Sequence, residues 1–371
     1  MSSSASARDR LAAMLARWGG RPTLLTVAVI NVVSFIVIAP YIAPANYGLD
    51  VGTFRQCAVA LTQGVAYCGS PYPPLMGVAA LPLSWVSSAA AAVLMPTLGI
   101  TILAFGILAE TRGHARIDRL LIAISVYTFT PVVYELLLGQ TTILIGAAIY
   151  LVARRSDAFR NGIAIGIVLA VAPKALLAPI LLWMLVWRRH ALGGALLTAV
   201  VLTGVALLVM GPDPYRAWIG TVTGAGKTSL VGWLSDRDMG NLSLWPLEPV
   251  TIATAIFVAA ATVVAIARDE SRGFVASILG GLLLAPYTLL YGYTLVLLAV
   301  KPALAYAPRV TRGLALTVNF AHPALPSIIW TLTGLIACLF PRRSGPAVMD
   351  GAAPAAAAPA SGASTAVPAE P

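Results

Sequence analysis

Charge is scarce in this chain, so an isolated charge stands out. There are 14 acidic residues among 371, and 21 of the 24 basic residues are arginine. Asp9, Asp118, Asp157, Asp269 and Glu270 lie beside arginines in predicted loops and read as their solvated partners. Asp50 differs. It stands just beyond the first apolar run, and no basic residue follows it until Arg55. A carboxylate at a membrane boundary is costly to desolvate and usually has a partner or a task. Two readings stay open for it: a general base, or the cap of a helix beginning at Val51. Lys174, one of three lysines with Lys227 and Lys301, stands at a predicted helix end between Pro173 and Ala175. Its ammonium either snorkels to the interface or holds a phosphate as a compact point charge. Glu135 lies inside an apolar run, where it either faces a polar cavity or pairs with an arginine.

Three motifs fall in the polar stretch 211–249. Gly224-Ala225-Gly226-Lys227-Thr228 imitates a phosphate loop, but the position five before Gly226 is Thr221, not glycine, and no strand precedes it. A nucleotide site is therefore excluded. Asp236-Arg237-Asp238 has the look of a metal-binding acid pair, yet two carboxylates among solvated loop charges are a weak signal. Asn241-Leu242-Ser243 reads either as a chance sequon or as a loop that hydrogen-bonds sugar hydroxyls. Cys57 and Cys68 flank a short amphipathic run, as a disulfide or as separate thiols, and Cys338 lies in an apolar run. Three scattered histidines, His114, His190 and His322, make no metal motif.

The elements that must position these groups are membrane helices. Hydrophobic residues make up 59% of the chain and charged residues 10%, against about a quarter charged in soluble domains. The net charge of +10 falls mostly in short loops between apolar runs, where it sets topology rather than binding nucleic acid. Arg8, Arg10, Arg17 and Arg21 place residues 1–22 in the cytoplasm. Thr23–Ala43 is then an uncleaved span, and Asp50 lies outside. The run Leu75–Ala109 is interrupted by Pro82 and Pro96 and followed by Arg112, Arg116 and Arg119. One net crossing is expected, with Leu75–Val86 dipping in or lying at the outer surface, and two crossings stay open as the alternative. Further on, Gly139-Gln140 and Pro173-Lys174 turn on one side, while Arg154, Arg155, Arg188 and Arg189 collect on the other. The expectation is an all-α polytopic transmembrane bundle of about 10–13 spans, with re-entrant or amphipathic helices in its outer loops. It comprises a cytoplasmic segment 1–22, a membrane domain 23–340 and an Ala/Pro-rich disordered tail 341–371. Asp50, Tyr72, Gln140, Lys174, Asn241, Tyr287 and Tyr291 all gather at predicted outer helix ends.

In their order along the chain these pieces resemble the GT-C membrane glycosyltransferases of family 87. The resemblance rests on Asp50 in the first outer loop, Tyr72-Pro73-Pro74, Leu138-Gly139-Gln140 and a Gly162/Gly166 helix leading to Lys174. Asn241-Leu242-Ser243-Leu244 and Ala285-Pro286-Tyr287 complete it across residues 45–300. It implies a GT-C-like fold that moves a hexose, mannose first among candidates, from polyprenyl phosphate to a lipid-linked or glycan acceptor. Transfer would occur with inversion at the outer face of the cell membrane, with no metal, cofactor or nucleotide. Asp50 would be the catalytic base. Lys174 and Arg237 would hold the donor phosphate, and Tyr72, Gln140, Asn241, Tyr287 and Tyr291 would contact substrate. The chain departs from the family in having tyrosines, and no histidine, after Pro286, and Lys174-Ala175 where members carry Lys-Pro. Two rival classes share the helical composition. A flippase of lipid-linked intermediates should show inverted repeats and mid-membrane polar groups; a non-catalytic envelope-assembly partner needs neither.

Overall fold

The apolar runs fold as helices, and prolines and glycines decide where each one stops. The computed structural model describes residues 24–37, 47–154, 156–223, 249–285, 288–300 and 324–340. Residues 1–339 form one contact unit; of the second unit, 340–371, only Phe340 is described. No described residue lies in a strand, so the fold is all-α as expected. Helix α1 (Leu24–Val37) leads to α2 (Leu49–Thr62), which carries Asp50 in its first turn. Two short helices follow, α3 (Leu75–Ala79) and α4 (Leu81–Ser84), then the long α5 (Ser88–Glu110). The Ser87 side chain caps α5 by accepting from the Ala90 N–H at 3.2 Å.

Helices α6 (Arg116–Tyr127) and α7 (Thr130–Leu138) meet at a 58° bend just ahead of Pro131. Then come α8 (Thr142–Arg154), α9 (Phe159–Val171), a 3-10 turn Ala175–Leu177, α10 (Ala178–Trp187), α11 (Arg189–Met210) and α12 (Asp213–Thr223). After the undescribed stretch come α13 (Pro249–Arg268), α14 (Glu270–Leu284), a 3-10 turn Leu290–Leu295 and α15 (Ala324–Ala337). Among the described residues two helices, α5 and α11, are long and apolar enough to cross a bilayer, and the bent α6–α7 pair is a third candidate. Several other apolar helices run 10–17 residues, short of the ~20 that a hydrocarbon slab requires. Pro131 divides a run that composition alone reads as continuous. The stretch 211–249 is not wholly loop: α12 occupies its first part, and Lys227, Arg237 and Asn241 lie outside the described residues.

Helix α14 is the centre of the bundle, buried from Gly273 to Leu283. Trp183 of α10 packs on Phe274 with ring centroids 5.0 Å apart and donates to the Glu270 carbonyl at 3.0 Å. Trp187 does likewise to Ile266 O at 2.7 Å, so each indole buries its ring and still satisfies its N–H. Outward faces of α5 and α11, with Phe105, Val200 and Leu208, remain exposed and apolar, as a lipid-facing surface requires. Side chains at Gly162 and Gly166 would collide with the α11 backbone and Thr198, so these glycines let α9 and α11 pack closely.

The bundle is polarised. At one end Glu110 pairs with Arg154 and accepts from Tyr150, while Arg188 pairs with Glu270. At the other end lie Asp50, Gln140, Thr142 and Lys174. Helix α8 joins the two, from Thr142 to Arg154, a length of about 20 Å at 1.5 Å per residue. Arg154 and Arg188 thus sit at the end opposite the Gln140 and Lys174 turns, as the alternation along the sequence implies.

Around Asp50 the chain builds a small lip with its own core. Phe54 meets Tyr72 edge-to-face at 5.1 Å, and Val51, Ala58, Met76 and Leu83 close around them. Leu75–Val86 therefore packs on α2 rather than forming a separate long helix. Cys57 and Cys68 are joined, Cα atoms 5.0 Å apart, which settles the two cysteine readings in favour of the disulfide. Trp218 of α12 fastens the lip from the side by donating to Pro71 O at 3.0 Å.

Candidate active site

Asp50 and Gln140 are 90 residues apart in sequence and are brought together by two glycine turns. Gly48 has φ 69° and donates its N–H to Leu137 O at 2.7 Å, which ties the start of α2 to the end of α7. Gly139 also has φ 69°, a backbone shape that L side chains rarely adopt. A Cβ there would also collide with the Val51 side chain. Only glycine lets α7 end against α2, and the next residue is Gln140.

Asp50 is not a helix cap. The helix begins one residue earlier, with Gly48 at the N-cap, and Asp50 points from the first turn into the lip. That position sets its carboxylate against the positive end of the helix dipole. The Gln140 amide N–H donates to Asp50 Oδ2 at 2.5 Å. The amide oxygen of Gln140 accepts from the Tyr72 hydroxyl at 3.1 Å. Both ends of the amide are used, so Gln140 has one orientation and presents Asp50 in one direction. Gln140 and Tyr72, both expected to contact substrate, are thus linked to the carboxylate by hydrogen bonds.

Lys174 is 9% exposed and does not snorkel. Its ammonium donates to Thr142 Oγ1 at 3.0 Å and sits 4.8 Å over the Tyr291 ring. Among the described residues it makes no ion pair within 4 Å and no second hydrogen bond. An ammonium has three donors, and no described residue takes the other two. It lies within electrostatic reach of both Asp50 and Glu135. Lys174, Thr288, Leu289, Tyr291 and Gly292 line a small recess that opens beside it.

Sequence reading left Glu135 between two roles, a polar cavity or an arginine partner. The structure gives it neither arginine nor exposure. It is 1% exposed, accepts from the Ile143 N–H at 2.9 Å, and faces Thr142 and Lys174. Tyr134 was not singled out at all, because a lone tyrosine in an apolar run looks like any interfacial one. Arg237, Asn241 and Tyr287 lie outside the described residues.

Burial pushes the Asp50 carboxyl above the usual carboxylate range, and the Gln140 hydrogen bond and Lys174 charge pull part of the way back. A base must be ionised, so a reaction that used Asp50 as its base would slow as pH drops through the Asp50 pKa. Removing the Gln140 donor takes away a lowering effect, and the acid limb then moves to higher pH. The pH–rate profile of Gln140→Leu is expected to show that upward move, with losses largest on the acid side. A limb at the wild-type position would show that Gln140 does not act through Asp50.

A carboxylate oriented by an amide, with a buried cation and an open recess beside it, at one end of a lipid-facing helical bundle, defines a polytopic membrane enzyme. The chain belongs to glycosyltransferase family 87, whose model matches residues 71–291, more than half of its length. It is therefore a membrane glycosyltransferase. The matched stretch contains Tyr72, Gln140, Lys174 and Tyr291; Asp50 precedes it. Neither the curated proteins nor the solved structures give a match.

Proposed function

We propose that this glycosyltransferase moves a hexose, with mannose the first candidate, from polyprenyl phosphate to a lipid-linked or glycan acceptor. The observation that carries the reading is the pairing of two opposite groups at one site. Asp50 is held by Gln140 at 2.5 Å, and Lys174 is a buried cation with unclaimed donors beside a recess. The first suits removal of a proton from an acceptor hydroxyl; the second suits an anionic leaving group.

The step is a single displacement. Asp50 takes the acceptor hydroxyl proton while the oxygen forms its bond to the anomeric carbon. The bond from that carbon to the phosphate oxygen breaks, and its electron pair leaves on the polyprenyl phosphate beside Lys174. Attack opposite the leaving group inverts the sugar carbon. Arg237, Asn241 and Tyr287 are proposed as further contacts to phosphate and sugar. The Cys57–Cys68 bond supports an extracytoplasmic location for the lip, because disulfides persist in oxidising compartments. The lipid-facing surface supports lateral entry of a lipid donor. Within this reading, residues 1–22, 23–340 and 341–371 are a cytoplasmic segment, the transferase domain and a tail.

The donor is tested with full-length protein in membranes given radiolabelled polyprenyl-phosphate mannose, polyprenyl-phosphate glucose or a nucleotide-linked hexose. Label is expected to pass to a membrane acceptor from a polyprenyl donor alone. Transfer from the nucleotide sugar in the absence of polyprenyl phosphate would overturn the donor assignment.

A further inference from the structure

Most polar groups at this site are sealed or already in use. Tyr72, Glu135, Gln140, Lys174 and Tyr291 are each less than a tenth exposed. Of the side chains in this cluster, Asp50 and Tyr134 keep more surface, being only partly buried. A sugar that reaches the site from outside meets these two first.

Tyr134 neighbours the base and the ring that carries the cation. Its ring lies nearly parallel to that of Tyr291, 14° between planes and 6.4 Å between centroids. Tyr291 in turn carries the Lys174 ammonium over its ring at 4.8 Å. The Tyr134 phenol also lies within electrostatic reach of the Asp50 carboxylate. The Tyr134 hydroxyl makes no hydrogen bond with any described residue. A phenol can both donate and accept, and no described residue takes up either capacity here.

Inverting displacement constrains where a sugar ring can sit. The incoming oxygen and the leaving phosphate stand on opposite sides of the anomeric carbon. With Asp50 serving the first and Lys174 the second, the ring lies in the interval that Tyr134 borders. We infer that Tyr134 contacts the transferred hexose, its phenol hydrogen-bonding a sugar hydroxyl and so selecting among hexose epimers. This role rests on the proposed function and adds to it the residue that reads the sugar. Epimers differ in the direction of one hydroxyl, and a site built to hydrogen-bond a hydroxyl discriminates against a ligand that cannot offer it.

Tyr134→Phe keeps the ring and its packing on Tyr291 and removes only the hydroxyl. Full-length wild type and Tyr134→Phe are compared in membranes with polyprenyl-phosphate mannose and polyprenyl-phosphate glucose. Protein amounts are matched and melting in detergent is followed in parallel. The expected result is an unchanged melting temperature. The apparent kcat/KM for the preferred donor falls on the order of tenfold, and the mannose-to-glucose ratio moves towards one. Wild-type transfer with kcat/KM and donor ratio both unchanged in Tyr134→Phe overturns the sugar-contact role and leaves the proposed function standing. A uniform loss on both donors with a lowered melting temperature also overturns it, as the mark of a packing residue. Wild-type membranes that use neither donor overturn the proposed donor and this role together.

Discussion

Asp50→Asn is expected to lose hexose transfer almost completely while the protein folds at least as well as wild type. The substitution keeps the size of the side chain and an oxygen for the Gln140 N–H, so the lip is left intact. What it removes is the ability to take a proton. General bases contribute about 10²–10⁴-fold, and a loss of that order is the expected reading in the membrane assay. The stability side has the opposite sign. Burial raises the Asp50 pKa in the folded protein, so the folded state holds that proton more tightly than the unfolded chain does. Stability is therefore lost as pH rises from the unfolded pKa through the folded one, and above that window ionised Asp50 is a cost. Asparagine is never ionised and carries no such cost. At neutral pH the variant should melt at the wild-type temperature or above it. Near-wild-type transfer by Asp50→Asn would remove Asp50 from the role of base.

Lys174→Met carries the second large effect, and here activity and stability fall together. Methionine matches the length of the lysine stem but offers neither charge nor donor. Loss of one donor that stabilises developing negative charge costs about 10²–10³ in rate, and transfer from polyprenyl-phosphate donors should fall by that order. The fold suffers as well. Lys174 is the cation facing both Asp50 and the fully buried Glu135, and removing it takes a compensating charge from a buried carboxylate, which lowers stability. The double variant Lys174→Met with Glu135→Gln separates the two effects. It should regain most of the lost melting temperature, because the orphaned carboxylate is gone, and should still fail to transfer. A double variant that folds and transfers at the wild-type rate would sink the assignment of Lys174 to the donor phosphate.

Much was legible in the sequence, for physical reasons that apply residue by residue. With one charge in ten residues, the chain has little choice but to bury its backbone polar groups in helices. The alternation of arginine loops with polar turns placed Asp50, Gln140 and Lys174 at the same end before any coordinates. Prolines marked the broken run at 82. The disulfide was one of two readings that spacing allowed. The ordered motifs also pointed to the family that the match over 71–291 shows.

The sequence by itself thus determined the helical class, the polarity of the bundle and the identities of its scarce charges, because these follow from composition and periodicity along one chain. Tertiary structure decided what each group does with its neighbours. Asp50 is a presented carboxylate rather than a cap because two left-handed glycines, Gly48 and Gly139, set α2 against α7. Gln140 and Tyr72 hold that carboxylate because contacts across 90 and 68 residues leave no trace in local spacing. Lys174 is buried beside Glu135, and the partly exposed Tyr134 stacks on Tyr291 within reach of Asp50, for the same reason: hydrogen bonds and ring contacts are made by distance in space.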